Sequence, residues 1–419
     1  MRNRDSIGVG LALLAATSMW FYVQRVLIPY QKTDAALHSR PRGNLSDLYP
    51  RWLGARELLL HHRDPYSADV TREIQAGYYG RPLDPLRPSD PRDQQGFAYP
   101  VYVAFLLAPT IQFPFETVQT GFFWLLGLLT AMTVPLWLRV ISWRPACSTL
   151  AALLLLTLGS FAVAQGIKLQ QLSLLVGFLV AAAVALATSG HLALCGILLA
   201  LATIKPQLAL PIAAWLTVWS LGDLRRRGGF IAGFFVTLGF LVAGGEYELQ
   251  GWISRFRTAV AAYANYTGGG RSLLDVLLTQ PAGRAVAGVV VLLVAYLCWT
   301  RRTQPAESPG FAGACSLVLA ATVVIIPTFA PYNQILLMPA IFLIARSWTQ
   351  LRQRSATARY VLFITAAAVL WPWLAAFALT GASLLMPAAT VQQAWALPLF
   401  TSFGIPIGVL ATLAFLLTP

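Results

Sequence analysis

Charged residues are scarce in this chain. Asp, Glu, Lys and Arg make up 11% of the 419 residues, whereas hydrophobic types make up 57%. A water-soluble domain usually carries roughly 25% charged residues. The deficit excludes an ordinary soluble protein. Regular alternation of polar and apolar residues is also lacking, which excludes an outer-membrane barrel.

Metal and redox motifs are missing as well. The four cysteines are isolated and form no CxxC pair, so we interpret them as small buried apolar residues. The four histidines show no HExxH spacing, and no DxD pair stands in the predicted outer loops. We therefore expect no metal and no cofactor, although scattered loop carboxylates could still assemble a metal site. These residues are Cys147, Cys195, Cys298, Cys315, His38, His61, His62 and His191.

What the chain does contain is a series of long apolar runs, each typical of a transmembrane helix. The first run, after Met1–Asp5, lacks a small-residue cleavage site and is predicted to be retained. The sequence thus predicts an all-α polytopic membrane protein with about twelve spans in a single domain, residues 1–419. The predicted spans are 7–28, 117–139, 147–165, 171–188, 190–204, 206–221, 228–245, 283–300, 311–328, 332–346, 358–379 and 394–417.

Arginine clusters orient these spans. They alternate with the apolar runs, and the positive-inside rule puts all of them, with both termini, on the cytoplasmic side. A net charge of +14 distributed in this way indicates membrane topology, not a nucleic-acid-binding surface. The clusters are Arg2 and Arg4, Arg139 and Arg144, Arg225–Arg227, Arg301–Arg302, and Arg346, Arg352, Arg354 and Arg359.

Two sizeable loops then lie outside, at 29–97 and 246–282. The first contains a helical repeat of apolar residues at 52–59, expected to lie flat on the membrane surface. The second contains an amphipathic stretch at 252–263 followed by Gly268–Gly270. Segment 98–113 is apolar, but it is short and interrupted by prolines, so we predict a re-entrant or interfacial piece.

Acidic residues are absent from the predicted spans, and nine of the sixteen carboxylates lie in the first outer loop. Ion-coupled carriers keep ionisable groups at mid-membrane, so this distribution favours a reaction at the outer membrane boundary. Asp47 stands directly before the helical repeat. There it could be a general base with a pKa raised by partial burial, or merely the cap of a helix.

Only three of the thirty basic residues are lysine, and Lys32, Lys168 and Lys205 all fall on the outer side. Gln171 stands three residues after Lys168. Lys205 is followed by Pro206, a residue typical of helix starts, and then by Gln207. Such turns could bind a phosphate group. The alternative is that each lysine simply extends from a helix end towards water.

Several short motifs, in order, resemble the polyprenyl-phosphate-mannose-dependent mannosyltransferases of bacteria. These are GT-C-fold enzymes of the phosphatidylinositol-mannoside mannosyltransferase type. The resemblance runs from Asp47 to about Pro339. Its motifs are Asp47-x-Tyr49-x-x-Trp52-x-x-Ala55-x-x-Leu58-Leu59, Asp64-Pro65-Tyr66, Phe97-Ala98-Tyr99-Pro100, Gln171-Leu172-Ser173-Leu174 and Lys205-Pro206.

The resemblance implies a GT-C-like bundle, with Asp47 as general base and a polyprenyl-phosphate sugar as donor. We expect inverting transfer, with mannose as the predicted sugar, to a lipid or glycan acceptor at the periplasmic face of the inner membrane. Alternatives are a flippase or other transporter of lipid-linked saccharides, and an O-antigen-ligase-like transferase. We expect Lys205, Lys168, Gln171, Gln207 and Arg271 to bind the donor phosphate, and Tyr49, Trp52, Tyr99, Tyr332, Asn333 and Gln334 to contact substrate.

This chain departs from the family at three places. Gln170-Gln171 stands where many members carry Gly-Gln, and Asn333 and Gln334 follow a turn where some carry His. Gly270-Arg271-Ser272 stands where Asn or Gln is expected before Ser. These three departures bear on which acceptor and which sugar the resemblance implies.

Overall fold

The structure is a computed structural model, which describes residues 2–39, 46–84, 86–91, 93–266, 270–327 and 329–418. These residues form helices and connections, with no strand among them. A π-helical turn, Val23–Leu27, joins α1 to α2, and four 3₁₀ segments cover Ala108–Thr110, Ala202–Ile204, Pro331–Leu337 and Leu397–Leu399. The helices are α1 Arg2–Tyr22, α2 Ile28–Leu37, α3 Tyr49–His61, α4 Ala68–Tyr79, α5 Val103–Leu107, α6 Phe115–Val140, α7 Cys147–Leu158, α8 Phe161–Lys168, α9 Leu172–Ala187, α10 Leu192–Leu201, α11 Pro206–Leu221, α12 Leu224–Glu248, α13 Trp252–Tyr266, α14 Leu273–Leu277, α15 Gln280–Arg301, α16 Pro309–Ile325, α17 Met338–Arg346, α18 Trp348–Arg354, α19 Ala356–Leu385, α20 Ala388–Gln393 and α21 Gly404–Leu417.

Every predicted span contains helix, but the helices differ in length. Six are long and apolar enough to cross a membrane, and α7 with α8, bent by 52°, would make a seventh. Four other apolar helices have 10–17 residues. At about 1.5 Å per residue they reach roughly 15–25 Å, less than the ~30 Å hydrocarbon core. The multi-pass membrane class is confirmed, whereas the count of about twelve spans is not. The six are Ser6–Leu37, Phe115–Val140, Leu224–Glu248, Gln280–Arg301, Ala356–Leu385 and Ala388–Leu417.

Helices α12 and α15 present large apolar side chains at the molecular surface. Phe240 of α12 is 75% exposed and Leu292 of α15 is 71% exposed. Water disfavours such surfaces, whereas lipid chains solvate them. These helices therefore form a lipid-facing side of the bundle.

Helices α10 and α12 pack with their backbones in contact. A Cβ atom added at Gly233 would lie 2.2 Å from the carbonyl oxygen of Ala193, and one at Gly196 would lie 2.4 Å from that of Phe230. Small residues of this kind allow helices to approach closely in membranes, where dispersion contacts replace the hydrophobic effect.

The outer segments fold against the bundle. Segment 98–113 forms only α5 and a 3₁₀ turn, too short to cross the membrane, and Val101, Ala104 and Leu107 are buried. Tyr102 donates a hydrogen bond to the carbonyl oxygen of Thr203, 2.9 Å away. The segment is thereby tied to the turn that carries Lys205.

The predicted outer helices are present as α3 and α13. However, the expectation that the apolar face of α3 lies on the membrane surface is wrong. Trp52 and Leu58 are buried in the protein core, and a Cβ atom at Gly54 would lie 2.3 Å from the ring of Phe97. The protein itself covers this face. Of the glycine run after α13, Gly268 and Gly269 lie outside the described residues.

Candidate functional site

Asp47 is held where the chain enters α3. Its backbone N–H donates to the carbonyl oxygen of Leu169 at 2.9 Å, and the hydroxyl of Ser46 donates to the same oxygen at 3.2 Å. Leu169 directly follows α8. These bonds join the first outer loop to the end of a membrane helix, because the last carbonyls of α8 need partners from outside the helix.

The carboxylate of Asp47 accepts two side-chain hydrogen bonds. Tyr78 of α4 donates to Oδ1 at 3.1 Å, and Nε2 of Gln171 donates to Oδ2. The alternative of a helix cap does not fit this geometry. Leu48 occupies the N-cap position of α3, which has no side-chain cap. The carboxylate instead points to residues from two other parts of the chain.

Lys205 lies in the turn before α11 and is 6% exposed. Its Nζ atom donates to Oε1 of Gln171 and to Oγ of Ser173, both at 2.7 Å. Ser173 in turn donates to Oδ1 of Asn333 at 2.8 Å. A continuous hydrogen-bonded chain thus runs from Asn333 through Lys205 and Gln171 to Asp47.

Burial lowers the pKa of Lys205, and nearby Tyr99 and Asp47 partly oppose that shift. Its ammonium group lies 5.2 Å from the ring centre of Tyr332 and 5.6 Å from that of Tyr99. Such aromatic faces attract a cation without neutralising it. Lys205 is therefore a buried cation suited to an anionic ligand.

Arg51 provides a second cation, which the sequence reasoning missed. Its guanidinium stacks 4.5 Å from the ring centre of Tyr99, and Nη1 donates to the backbone oxygen of Asp47 at 2.6 Å. Burial lowers its pKa, but Tyr99 and Asp47 more than offset this, and the net pKa is raised. Arg51 stands four residues after Asp47, about one helical turn, and this spacing could have identified it as a neighbour of Asp47 from the sequence.

Neither cation is neutralised by a side chain in the described part of the protein. Arg51 and Lys205 form no salt bridge there, and Nε of Arg51 is buried without a hydrogen-bond partner. A buried polar atom without a partner is costly, so such an atom indicates a missing ligand or water.

Both cations line one cavity of about 310 Å³. Gln171, Gln207, Asn333 and the rings of Tyr99, Tyr263 and Tyr332 complete its polar side. Apolar residues also line the cavity, among them Phe256, Val260, Ile326, Pro327 and Ala330. The cavity therefore combines two buried cations with apolar surface.

A second carboxylate, Asp93, belongs to the same electrostatic environment. Burial raises its pKa, a backbone hydrogen bond from Gln95 lowers it, and the charge of Asp47 raises it further. The pKa of Tyr263 is raised to about 12 by burial first and then by Asp93. Asp47 and Asp93 both interact electrostatically with Arg51, but neither carboxylate lines the cavity.

Five predicted site residues lie elsewhere. Lys168 donates to Gln31 and, like the exposed Arg271, does not line the cavity. Tyr49 packs edge-on against Phe115, with ring centres 4.9 Å apart. Trp52 is buried and donates to the backbone oxygen of Thr110. Gln334 donates to the backbone oxygen of Ser402 and lines a separate small cavity. The positions of these residues in the sequence could not show which side chains pack in the core and which line the cavity.

Gln170, the departure from Gly-Gln, has a φ of +48°. Glycine adopts this left-handed conformation without steric cost, whereas other residues rarely do. The side chain of Gln170 stabilises the turn by donating to the carbonyl oxygen of Ile167 at 2.7 Å. This turn brings Gln171 next to Asp47.

Within the described ranges no group of three His, Cys, Asp or Glu residues could hold a metal ion. The predicted absence of a metal remains untested by this observation.

No curated protein and no solved structure matches the chain. A family model described as glycosyltransferase family 87 matches residues 97–327. The match includes Tyr99, Gln171 and Lys205, whereas Asp47 and Arg51 precede it. Since the model covers more than half of the 419 residues, the chain belongs to glycosyltransferase family 87 and is a membrane glycosyltransferase of the GT-C type.

Proposed function

We propose that the enzyme transfers a sugar, with mannose as the proposed unit, from a polyprenyl-phosphate donor to a hydroxyl group of a lipid or glycan acceptor. The reaction takes place at the periplasmic face of the bacterial inner membrane and inverts the anomeric configuration. The observation that carries this proposal is the hydrogen-bonded chain from Lys205 through Gln171 to Asp47, beside a cavity lined by two cations and by apolar side chains.

Asp47 is the proposed general base. It accepts the proton of the acceptor hydroxyl, whose oxygen bonds to the anomeric carbon as the bond to the phosphate oxygen breaks. Its hydrogen bonds from Tyr78 and Gln171 hold the carboxylate in one orientation. A general base must be positioned in this way before it can act.

Lys205 and Arg51 are the proposed ligands of the donor phosphate. Two cations without carboxylate partners in the described structure can stabilise the negative charge that develops on the departing lipid phosphate. Gln207 and Asn333 also line the cavity and can donate further hydrogen bonds. A phosphate leaving group stabilised in this way needs no proton, so one catalytic carboxylate suffices.

The apolar part of the cavity lining suits the first isoprene units of the donor. Phe256, Val260 and Ile326 contribute hydrocarbon surface to the cavity that the two cations line. A polyprenyl phosphate has the same division between a charged head and an apolar chain. Family membership favours sugar transfer over the flippase alternative, because a flippase forms no glycosidic bond.

We further propose that no metal or other cofactor takes part. The two cations take the role that a Lewis acid has in metal-dependent enzymes. Transfer should therefore persist in EDTA, and a complete loss restored by Mn²⁺ or Ca²⁺ would contradict this proposal.

The test uses purified protein with radiolabelled polyprenyl-phosphate mannose and a bacterial lipid extract. Asp47→Asn should slow product formation by roughly 10²–10⁴, the usual contribution of a general base. It should still retain the donor and unfold at a near-normal temperature. The matched control is Asp69→Asn, which changes an exposed carboxylate of the same outer loop. Asp47→Asn turnover close to that of the parent would refute the proposed base.

A further inference from the structure

A groove of about 570 Å³ lies on the outside of the bundle, between α1 with its π-helical turn and the end of α7. On the side of α1 its lining extends from Leu13 to Arg25. Among the described residues, none lines both this groove and the cavity of the candidate site. The proposed sugar transfer therefore makes no use of the groove.

The lining residues of the α1 side form one stripe along the helix. Their positions alternate between steps of three residues and of one, which is the spacing of a single helix face. At about 1.5 Å per residue, the stripe is roughly 18 Å long. One leaflet supplies about half of the ~30 Å hydrocarbon core, so the groove is close to one leaflet in length. The stripe consists of Leu13, Ala16, Thr17, Trp20, Phe21, Gln24 and Arg25.

Arg25 lies at the outer end of this stripe. The apolar helical stretch begins at Ser6, and the helix from Ser6 to Arg25 extends about 28 Å, close to the thickness of the hydrocarbon core. With the N-terminus on the cytoplasmic side, as predicted, Arg25 reaches the headgroups of the outer leaflet and Leu13 lies near the middle of the membrane. Between Ile7 and Ile28, Arg25 is the only charged residue.

The guanidinium of Arg25 has no polar partner in the described part of the chain. It is exposed, and it contacts the ring of Phe21, whose centre lies 5.9 Å away. Gln24, beside it, is also exposed and makes no side-chain hydrogen bond within the described ranges. The positive-inside rule explains arginines at cytoplasmic helix ends, but Arg25 is at the opposite end. A cation and an amide are thus available at the level of the lipid phosphates.

The floor of the groove is held in place by the protein. Nε1 of Trp20 donates to the carbonyl oxygen of Leu158 at 3.1 Å, and Nε1 of Trp373 donates to that of Gly159 at 2.7 Å. A Cβ atom added at Gly159 would lie 2.3 Å from Cα of Ala16, so α1 and the end of α7 touch there. A ligand would therefore meet a surface that is already formed, which lowers the entropic cost of binding.

We infer that this groove binds one anionic phospholipid of the outer leaflet. An acyl chain lies along the apolar stripe, and the phosphate accepts hydrogen bonds from Arg25 and Gln24. Arginine recognises phosphate through two parallel N–H bonds, and a headgroup with a net negative charge is attracted more strongly than a zwitterionic one. The inference goes beyond the proposed function and does not depend on it.

The first test compares headgroups. Purified, delipidated protein is titrated with dioleoyl phosphatidylglycerol or dioleoyl phosphatidylcholine, which have the same acyl chains, and native mass spectrometry measures the first bound lipid. The parent should bind phosphatidylglycerol about tenfold more tightly, and Arg25→Gln should lose this preference. The matched control, Arg284→Gln, changes an exposed arginine near the start of α15, whose outer end contributes to no part of the groove. It should keep the preference.

The second test addresses the acyl chain. Thr17 is exposed in the groove, and its hydroxyl donates to the backbone oxygen of Leu13 in its own helix at 2.8 Å. Thr17→Trp fills the groove and should weaken phosphatidylglycerol binding by about tenfold. Leu14→Trp is the matched control, because Leu14 is 47% exposed on α1 but does not line the groove.

Unfolding temperatures give an independent measure. Without lipid they show whether each variant is folded. Phosphatidylglycerol at about 100 times its Kd should then raise the unfolding temperature of the parent and of Leu14→Trp, since a ligand of the native state stabilises it. The same concentration should have little effect on Arg25→Gln or Thr17→Trp.

Three results would overturn the inference. Equal affinity of the parent for the two lipids, or equal effects of Arg25→Gln and Arg284→Gln, would mean that Arg25 only extends to water. Full affinity in Thr17→Trp would exclude the groove as the position of the acyl chain. Displacement of phosphatidylglycerol by a lower concentration of decaprenyl phosphate would assign the groove to a prenyl lipid. Loss of sugar transfer alone would contradict the proposed function and leave the phospholipid site standing.

Discussion

Lys205 and Lys168 both stand at turns that follow apolar segments, yet their surroundings differ. Lys205 reaches the cavity and bonds to Gln171 and Ser173, whereas Lys168 bonds to Gln31 away from that cavity. A charge-assisted hydrogen bond to a phosphate is stronger than a hydrogen bond between neutral groups. The local sequence suggested that both lysines bind phosphate in this way, but only Lys205 lines the cavity.

Lys205→Met should weaken donor binding. The loss of a charge-assisted hydrogen bond of about 1.5–3 kcal/mol corresponds to a roughly 10–150-fold rise in Kd. The matched control, Lys168→Met, should leave the Kd within about threefold, which is less than 1 kcal/mol. Binding of labelled polyprenyl-phosphate mannose to the purified variants measures both values. Equal losses in the two variants would remove Lys205 from its proposed role.

The pH dependence of donor binding should reflect Lys205. Burial lowers its pKa, and the phosphate binds its protonated form, so affinity is complete below that pKa and falls as pH rises through it. The fall should come at a lower pH than the ~10.4 of an ordinary lysine. Arg51, with its raised pKa, stays charged throughout.

Lys205→Arg provides the comparison for this prediction. A guanidinium stays protonated to higher pH, so the alkaline fall in donor affinity should move to higher pH in this variant. Titration of the donor Kd between neutral and alkaline pH measures the shift. Superimposable profiles of parent and Lys205→Arg would assign the fall to another group.

At the scale of the elements, α3 has its expected position but not its expected role. Its start at Tyr49 agrees with the helical repeat after Asp47. The apolar face was expected to meet lipid, but it packs against the outer segment that includes Phe97. A hydrophobic repeat predicts that a face is covered and does not identify what covers it.

Contact between α10 and α12 gives a prediction about stability. Gly233→Ala places a methyl group 2.2 Å from the carbonyl oxygen of Ala193, and backbone atoms cannot yield as a flexible side chain can. The cost should be about 1–3 kcal/mol of unfolding free energy, as for other overpacked sites.

Gly239→Ala is the matched control on α12, because nothing lies within 4 Å of the new methyl group. It should be neutral or stabilising by about 0.5–1 kcal/mol, since alanine favours the helix over glycine. Unfolding in detergent by heat or denaturant compares the two variants. A Gly233→Ala protein as stable as Gly239→Ala would contradict the close approach of these helices.

For the whole molecule, the arginine clusters predict which side of the membrane each loop lies on. In a Cys147→Ser background, Leu86→Cys should react with an impermeant thiol reagent added to intact spheroplasts, whereas Arg226→Cys should not. Leu86 is 90% exposed and the Arg226 side chain 88%, so burial would not mask either position. Labelling of position 226 from outside would reverse the proposed periplasmic location.

Composition and local pattern were enough for the class of protein and for much of the helix map. Helices α6, α11 and α15 begin within a few residues of the predicted spans, because apolar runs and N-terminal prolines are local signals. Asp47, Gln171 and Lys205 were singled out from short motifs that stand in a family order, and hydrogen bonds connect them in the structure, whereas their roles stay predictions. The family itself is confirmed only at the level of glycosyltransferase family 87.

The sequence by itself thus determined that this is a helical, multi-pass membrane protein. Only the tertiary structure decided which side chains meet. Gln171 is 124 residues from Asp47 and 34 from Lys205, yet it bonds to both. Tertiary packing also placed Arg51 in the cavity and Trp52 in the core, although they are adjacent in sequence. Periodicity reports the environment of one helix face, whereas a binding site depends on contacts between segments distant in the chain, and no local pattern encodes them.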